Sequence, residues 1–202
     1  DAIRSRYVAE SDVEAAMLAM MQGRRIGHLL DIGTGTGRMA EIFGRTADHI
    51  TALDRSPEML RIARTKLTPQ NLPVDLVQGD FLSLPLKDGA VDMVVMHQVL
   101  HFAHEPERVI GEVARVLGEG GHVLIVDFAP HNDEELRSVA AHARLGFSDR
   151  QMEIWFTAAG LQLEKVETLD GGKLSVKLWL GRRCDDEGVS AAQAISPALP
   201  EG

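Results

Sequence analysis

Apolar positions along this chain switch repeatedly between two periods. Val8 to Met21 repeats at helical spacing and predicts a helix over 11–21, with Ser11 as N-cap and Glu14 completing a capping box. From Gly27 to Ile32 the apolar run is short and continuous, as in a strand covered on both faces. Helical spacing returns over 36–46 through Met39, Ala40, Ile42 and Phe43, and 49–53 reads as a second strand. Ser56 caps the next helix, with Pro57 at its first position and Met59, Leu60, Ala63 and Leu67 on its apolar face. Pro73 leads into a strand over 74–78, and Asp88-Gly89 turns the chain into the unbroken apolar run 91–96. Glu105-Pro106 opens a helix with Val109, Ile110, Val113, Val116 and Leu117 inward and Gly118 just beyond its end. A fifth strand is expected over 122–128.

Two helices then follow one another, over 133–143 and 148–159. The second carries a capping box (Ser148, Gln151) and a hydrophobic staple (Phe147, Met152), and Gly160 stops it. Segments 161–169 and 174–180 face each other across Asp170-Gly171-Gly172 as a hairpin. In the second of these, Leu174, Val176, Leu178 and Leu180 alternate with Ser175, Lys177 and Trp179. Strands alternating with helices predict an α/β fold, a parallel sheet covered on both faces, with the hairpin added at one end.

The chemistry begins where the first strand runs into Gly33, Gly35 and Gly37. Without a Cβ, a glycine lets the backbone turn sharply and lets a ligand lie against it. Asp54 closes the second strand, 17 residues beyond Gly37, where a carboxylate accepts both hydroxyls of a ribose. Together they describe a nucleoside-cofactor site at the switch point of a doubly wound sheet. A dinucleotide fits poorly, because its fingerprint wants a third glycine where this chain has Arg38. Asp31, beside the glycines, suits a ligand carrying an ammonium rather than a pyrophosphate.

At these residues the chain resembles the class I S-adenosylmethionine-dependent methyltransferases. The likeness is carried by Leu30-Asp31-Ile32-Gly33-Thr34-Gly35-Thr36-Gly37, by 52–60 around Asp54, by Gly79-Asp80-Phe81, by 91–97 and by 117–125. It covers roughly 25–183, with the motifs in the family's order. Within the class it is similar to the ubiquinone and menaquinone C-methyltransferases, and closer still to methyltransferase-like domains fused behind ArsR-type winged-helix repressors. Segments 1–5, 97–102, 126–131 and 145–149 carry that closer likeness. The resemblance implies a seven-stranded, doubly wound, Rossmann-like sheet in the order 3-2-1-4-5-7-6, parallel except for its last strand. It divides the chain into an N-terminal helical segment (1–24), a cofactor domain (25–183) and a tail (184–202) expected to be disordered.

The resemblance also implies roles. Asp31, Gly33, Thr34, Gly35 and Gly37 would hold the methionine half of S-adenosylmethionine, or of its product S-adenosylhomocysteine. Asp54 would hold the ribose. Asp80 and Phe81 would meet the adenine, with Arg55 and Met59 on its faces, although Met59 is equally readable as helix core. His97, ending strand four, would stand beside the donor as a base or an orienting group, with Gln98 as a second catalytic candidate. A structural role for His97 stays open, and the sequence holds no clear base otherwise. If 98–103 is a short helix, His97 and His101 share a face, but no third ligand is evident and no metal site is expected. Asp127 and His131 are placed on the acceptor side, and Tyr7 is a candidate for closing over the cofactor.

Composition narrows this picture. A 202-residue chain suits one α/β domain. No run of 18 apolar residues exists to span a membrane, and a cytoplasmic location is expected. Cys184 is the sole cysteine, so no internal disulfide is available, and thiolate-bound arsenic is a poor substrate. A net charge of -9 argues against nucleic acid as this domain's ligand. Two functions are carried forward: methyl transfer to a small-molecule acceptor, and sensing of S-adenosylmethionine or its product on behalf of a fused regulator. The start at Asp1 favours an excised domain with an upstream DNA-binding partner, and a homodimer is left open.

Overall fold

The computed structural model of the protein describes residues 8–24, 26–134, 136–137 and 141–184. Seven strands form one sheet: β1 (His28–Ile32), β2 (His49–Asp54), β3 (Val74–Gln78), β4 (Val91–His97), β5 (Leu117–Phe128), β6 (Leu161–Leu169) and β7 (Val176–Arg183). Their order is 3-2-1-4-5-7-6, as expected. The first five strands pair in parallel, while β7 runs antiparallel to both β5 and β6. The order reverses between β1 and β4, which opens a crevice at their carboxyl ends.

Alternation along buried strands divides the core in two. Leu29, Met93, Val95, Leu124 and Val126 face α1 (Glu10–Met21), α2 (Arg38–Phe43) and α3 (Pro57–Leu67). Leu30, Ile32, Val94, Met96, Val123 and Ile125 face α4 (Pro106–Val116) and α5 (Asp149–Ala158). The apolar run of β4 is continuous because both of its faces are covered. Trp179, an outward alternate of the hairpin in the sequence reading, is fully buried, and its indole N–H donates to Asp149 Oδ1 at 2.9 Å. Here α5 covers the sheet face that a two-stranded hairpin alone would leave wet.

Several expected boundaries move. α1 starts at Glu10 with Ala9 as N-cap and no side-chain cap, so the Ser11 capping box does not form. Glu14 is committed elsewhere, bridging to Arg38 at 2.6 Å, and the acidic Glu10 and Asp12 complement the helix dipole instead. α2 is shorter than 36–46, bounded by Gly37 and Gly44. Gly118 is no helix terminator: the chain passes from α4 straight into β5, and a register shift against β4 absorbs the extra residues before His122. β7 extends to Arg183, three residues beyond the expected end, because Leu161 of β6 pairs with it. The Ser56 cap and the Ser148–Gln151 capping box form as expected.

The helix expected over 133–143 lies partly outside the described residues. Leu136 and Arg137 are helical, whereas the chain at Ala141 has left the helix with a φ of 56°. Of the 98–103 helix, only a single 3-10 turn, Leu100–Phe102, is present. Tyr7, residues 1–5 and nearly all of the tail fall outside the described residues. Among the described residues no helix is long and apolar enough to cross a membrane.

Candidate cofactor and acceptor site

The crevice at the carboxyl ends of β1, β2 and β4 holds a cavity of about 700 Å³. Of the residues singled out in the sequence, Gly33, Gly35, Asp54, Arg55, Met59, Asp80, Phe81, His97 and Gln98 line it together. Asp31, Thr34 and Gly37 do not. Phe102, His104 and Ala141 complete the wall on the His97 side.

Asp54 organises one end. Its Oδ2 accepts from Gly35 N and its Oδ1 from Ser56 N, both at 2.8 Å. One carboxylate thus ties the glycine loop to the start of α3, and each oxygen keeps a further lone pair for a ligand. Met59 is 37% exposed at the cavity, while Leu60, Ala63 and Leu67 form the buried face of α3, so Met59 is not helix core. Asp80 shapes the opposite lip through its Oδ1, which accepts from Leu82 N at 2.8 Å.

The loop glycines divide their work. Gly35 has φ 54°, and a Cβ there would meet no protein atom within 4 Å, so it would project into open space. Gly37, with φ 85°, is different: its Cβ would come within 2.7 Å of Leu67 Cδ1. Gly37 therefore lets α2 pack on α3 and is not part of the cavity wall. Arg38, where a dinucleotide site wants glycine, instead reaches across to Glu14 on α1.

Asp31 lies behind the loop, 1% exposed, and its Oδ2 has no hydrogen-bond partner. Burial pushes its carboxyl up to about 7, and the Asp54 charge adds to this. The Thr34 hydroxyl opposes the shift by proximity, without a closed hydrogen bond of its own.

At the other end, His97 lines the cavity with its Nε2 buried and without a partner. Burial lowers its pKa below the usual imidazole value, against the opposing fields of Glu10, Asp127 and Glu14, so it is neutral at pH 7. Gln98 follows with φ 55°, a costly conformation for a residue with a Cβ. Two contacts hold it there. Gln98 N donates to Val126 O at 2.7 Å, and Asp127 locks the next turn. Asp127 is fully buried; its Oδ1 takes His101 Nδ1 (2.8 Å) and Phe128 N (2.9 Å), and its Oδ2 takes His101 N (3.1 Å).

The sequence reading named both Asp127 and His101 but did not join them. It missed His142, whose ring stacks on His101 at 3.8 Å and whose pKa falls to about 4 through burial and the neighbouring His101. His131 is placed nearby, edge-on to Phe128. His97 and His101 do not share a helix face, since His101 is drawn into the core by Asp127. Among the described residues no group of three His, Cys, Asp or Glu side chains is arranged to hold a metal ion.

Comparison with known proteins shows what the chain is similar to. A model of the Methyltransferase domain matches residues 30–125, from β1 to the middle of β5. The chain is 36% identical over 104 residues to a demethylmenaquinone methyltransferase of Thermus thermophilus, covering 50% of this chain and 47% of that one. It is 37% identical over 117 residues to a phosphatidylethanolamine N-methyltransferase of Cereibacter sphaeroides, covering 57% of each. The chain thus spans about half the length of these curated relatives. In fold it matches a Bacillus halodurans C-125 protein proposed to be a methyltransferase, with TM-score 0.76, 19% identity and coverage of 86% of this chain and 100% of that one. Its strand order, its glycine loop and these relatives taken together make the chain similar, in sequence and in fold, to the class I S-adenosylmethionine-dependent methyltransferases.

Proposed function

We propose that this chain transfers a methyl group from S-adenosylmethionine to a small-molecule acceptor held at the His97 end of the cavity. The observation that carries the reading is the pairing, in one cavity, of a nucleoside-shaped end (Asp54, Asp80, Phe81) with a neutral, unpartnered imidazole. The family's donor fits the residues present. Asp31 offers an orphaned carboxyl oxygen for an ammonium, Gly35 leaves open space where a side chain would stand, and Asp54 has acceptor capacity for a ribose. When bound, the donor supplies an activated methyl group on a good leaving sulfur. The chain's part is to position the acceptor and exclude water, which can account for most of the acceleration. His97 serves as the orienting group or base, and Gln98 as a second contact. The relatives act on demethylmenaquinone and on phosphatidylethanolamine by their names, which supports an acceptor that is a small molecule and not a macromolecule. Nothing in these comparisons favours the sensor reading.

Asp54→Ala should weaken donor binding by about 1–3 kcal/mol, the scale for losing a charged hydrogen-bond acceptor. Loss of the links to Gly35 N and Ser56 N pushes the effect toward the upper end. Calorimetric titration of the donor into both proteins measures it; equal affinities would remove Asp54 from the cofactor site.

Asp31 gives a pH signature. Its folded pKa of about 7 stands above its ordinary 3.8, so its contribution to the stability of the free protein is present below about pH 4 and is lost as pH rises to about 7. A ligand ammonium reverses the preference by favouring the carboxylate. Donor affinity should therefore rise with pH up to about 7 and then level off. Asp31→Asn should flatten that dependence and stabilise the free protein to heat at alkaline pH. A wild-type affinity independent of pH over this range would place the ammonium elsewhere.

The experiment that tests the whole reading is incubation of the chain with methyl-labelled donor and a metabolite extract, followed by mass spectrometry for a labelled product.

A further inference from the structure

We infer that Asp127 and His101, which do not line the cavity, are the positioning residues of its acceptor end: together they set the turn that presents His97 and Gln98. This rests on the methyltransferase reading above and extends it from the residues that meet the acceptor to the pair that aims them.

The turn leaving β4 is tied at both ends to β5. Gln98 N donates to Val126 O at 2.7 Å, and His101 N donates to Asp127 Oδ2 at 3.1 Å. Between these ties Gln98 holds φ 55°, a conformation that a residue with a Cβ adopts only where its surroundings impose it. Val99 packs on the glycine loop, where a Cβ on Gly33 would strike its Cγ2. The turn therefore stands between β5 and the glycine loop, and its position fixes how far the acceptor end lies from the donor. His101 also anchors a third element. His142 stacks on its ring at 3.8 Å, and Ala143 N and Arg144 N donate to its carbonyl oxygen at 2.9 and 3.0 Å. Ala141, just before them, lines the cavity.

Apolar side chains would fill the space of this pair without desolvating a carboxylate. They would not give direction. Asp127, fully buried, directs three donors at once: His101 Nδ1, His101 N and Phe128 N. An amide at 127 has one acceptor oxygen and one donor nitrogen. With its oxygen in place of Oδ1, its NH2 group faces the His101 N–H; turned over, it faces the Phe128 N–H. Either way one backbone tie is lost at the junction of the turn and β5. A displacement of about 1 Å at His97 or Gln98 is enough to cost up to about 100-fold in rate.

Two variants of the full chain test this. Asp127→Asn removes a backbone tie and also the negative field at His97. His101→Phe keeps the carboxylate and the ring packing but loses the Nδ1 bond. Both are measured by amide hydrogen exchange, by titration with S-adenosylhomocysteine, and by turnover with methyl-labelled donor and the metabolite extract. Each should exchange its Gln98 amide about tenfold or more faster than the wild type. The Gly35 amide, bonded to Asp54, and the affinity for S-adenosylhomocysteine should not change. Turnover should fall about 10- to 100-fold in both variants. Asp127→Asn should cost less in the His97→Ala background, because the two residues act through one group. Three results would overturn the inference while leaving the methyltransferase reading intact: Gln98 protection unchanged in the variants, turnover unchanged although the Gln98 amide is freed, or an Asp127→Asn effect undiminished by His97→Ala. Failure of both variants to fold would overturn it too, since the pair would then hold the whole domain and not its acceptor wall. A wild type that neither binds the donor nor labels a product would overturn that reading, and the inference with it.

Discussion

Replacing His97 by alanine should lower turnover about 10²–10⁴-fold while changing donor affinity little, the range for losing a positioned base or orienting group. The split follows from where His97 sits. It ends β4 on the side of the cavity occupied by Gln98, Phe102 and His104, away from Asp54 and Asp80. Its Nε2 makes no contact whose loss would disturb the fold, and the His101–Asp127 link beside it is untouched by the change. Burial lowers the wild-type pKa, so His97 stays neutral through the neutral range, and its part in activity should fail only as pH drops below the ordinary imidazole value. Steady-state rates and calorimetry on the same two proteins measure the split. Turnover undiminished in the variant would leave positioning by the rest of the cavity as the whole mechanism. Absence of wild-type turnover on every acceptor, with tight binding of the product form, would instead favour a sensor.

Gly35→Val should abolish donor binding and leave the domain folded. Two effects act in the same direction. Valine is strained at φ 54°, at a cost on the order of 1–2 kcal/mol for a residue held in the left-handed region. Its side chain would also occupy open space at the cavity that the ligand needs, since no protein atom lies within 4 Å of the new Cβ. That same emptiness is why the fold should survive: the added methyls strike nothing in the core. Gly37→Val makes the contrast, because its Cβ meets Leu67 and should cost stability by prying α2 from α3. Circular dichroism and calorimetry separate the two outcomes. A Gly35→Val protein that binds normally would mean that this loop is not the cofactor loop.

Much of the fold could be read from the chain because its signals are local. The two periods of apolar residues, the Ser56 and Ser148 caps and the turns at Asp88-Gly89 and Asp170-Gly171-Gly172 each act within a few residues. The strand order came from the resemblance and not from periodicity. What escaped depends on distant partners. Glu14 has the spacing of a capping box, yet Arg38, 24 residues away, takes its carboxylate. Gly118 looks like a helix stop, yet pairing with β4 decides where β5 begins. Trp179 alternates as an outward residue until α5 covers it.

The site divides along the same line. Asp54, Gly35, Asp80 and Phe81 sit in motifs whose spacing announces them, and all line the cavity. Gly37 belongs to the same motif but serves helix packing, a distinction that only the position of Leu67 reveals. The link between His101 and Asp127 joins residues 26 apart on different elements, and the His142 ring arrives from a third. No spacing rule connects them.

The central claim is that the cavity lined by Gly35, Asp54, Asp80 and His97 binds S-adenosylmethionine. Isothermal titration of the donor into the wild-type chain and into Asp54→Ala tests it most directly. The account predicts saturable one-site binding in the wild type, weakened about tenfold or more in the variant, with both proteins equally folded. A wild-type protein that gives no binding heat and no thermal stabilisation by the donor, or binding indifferent to Asp54, would contradict it.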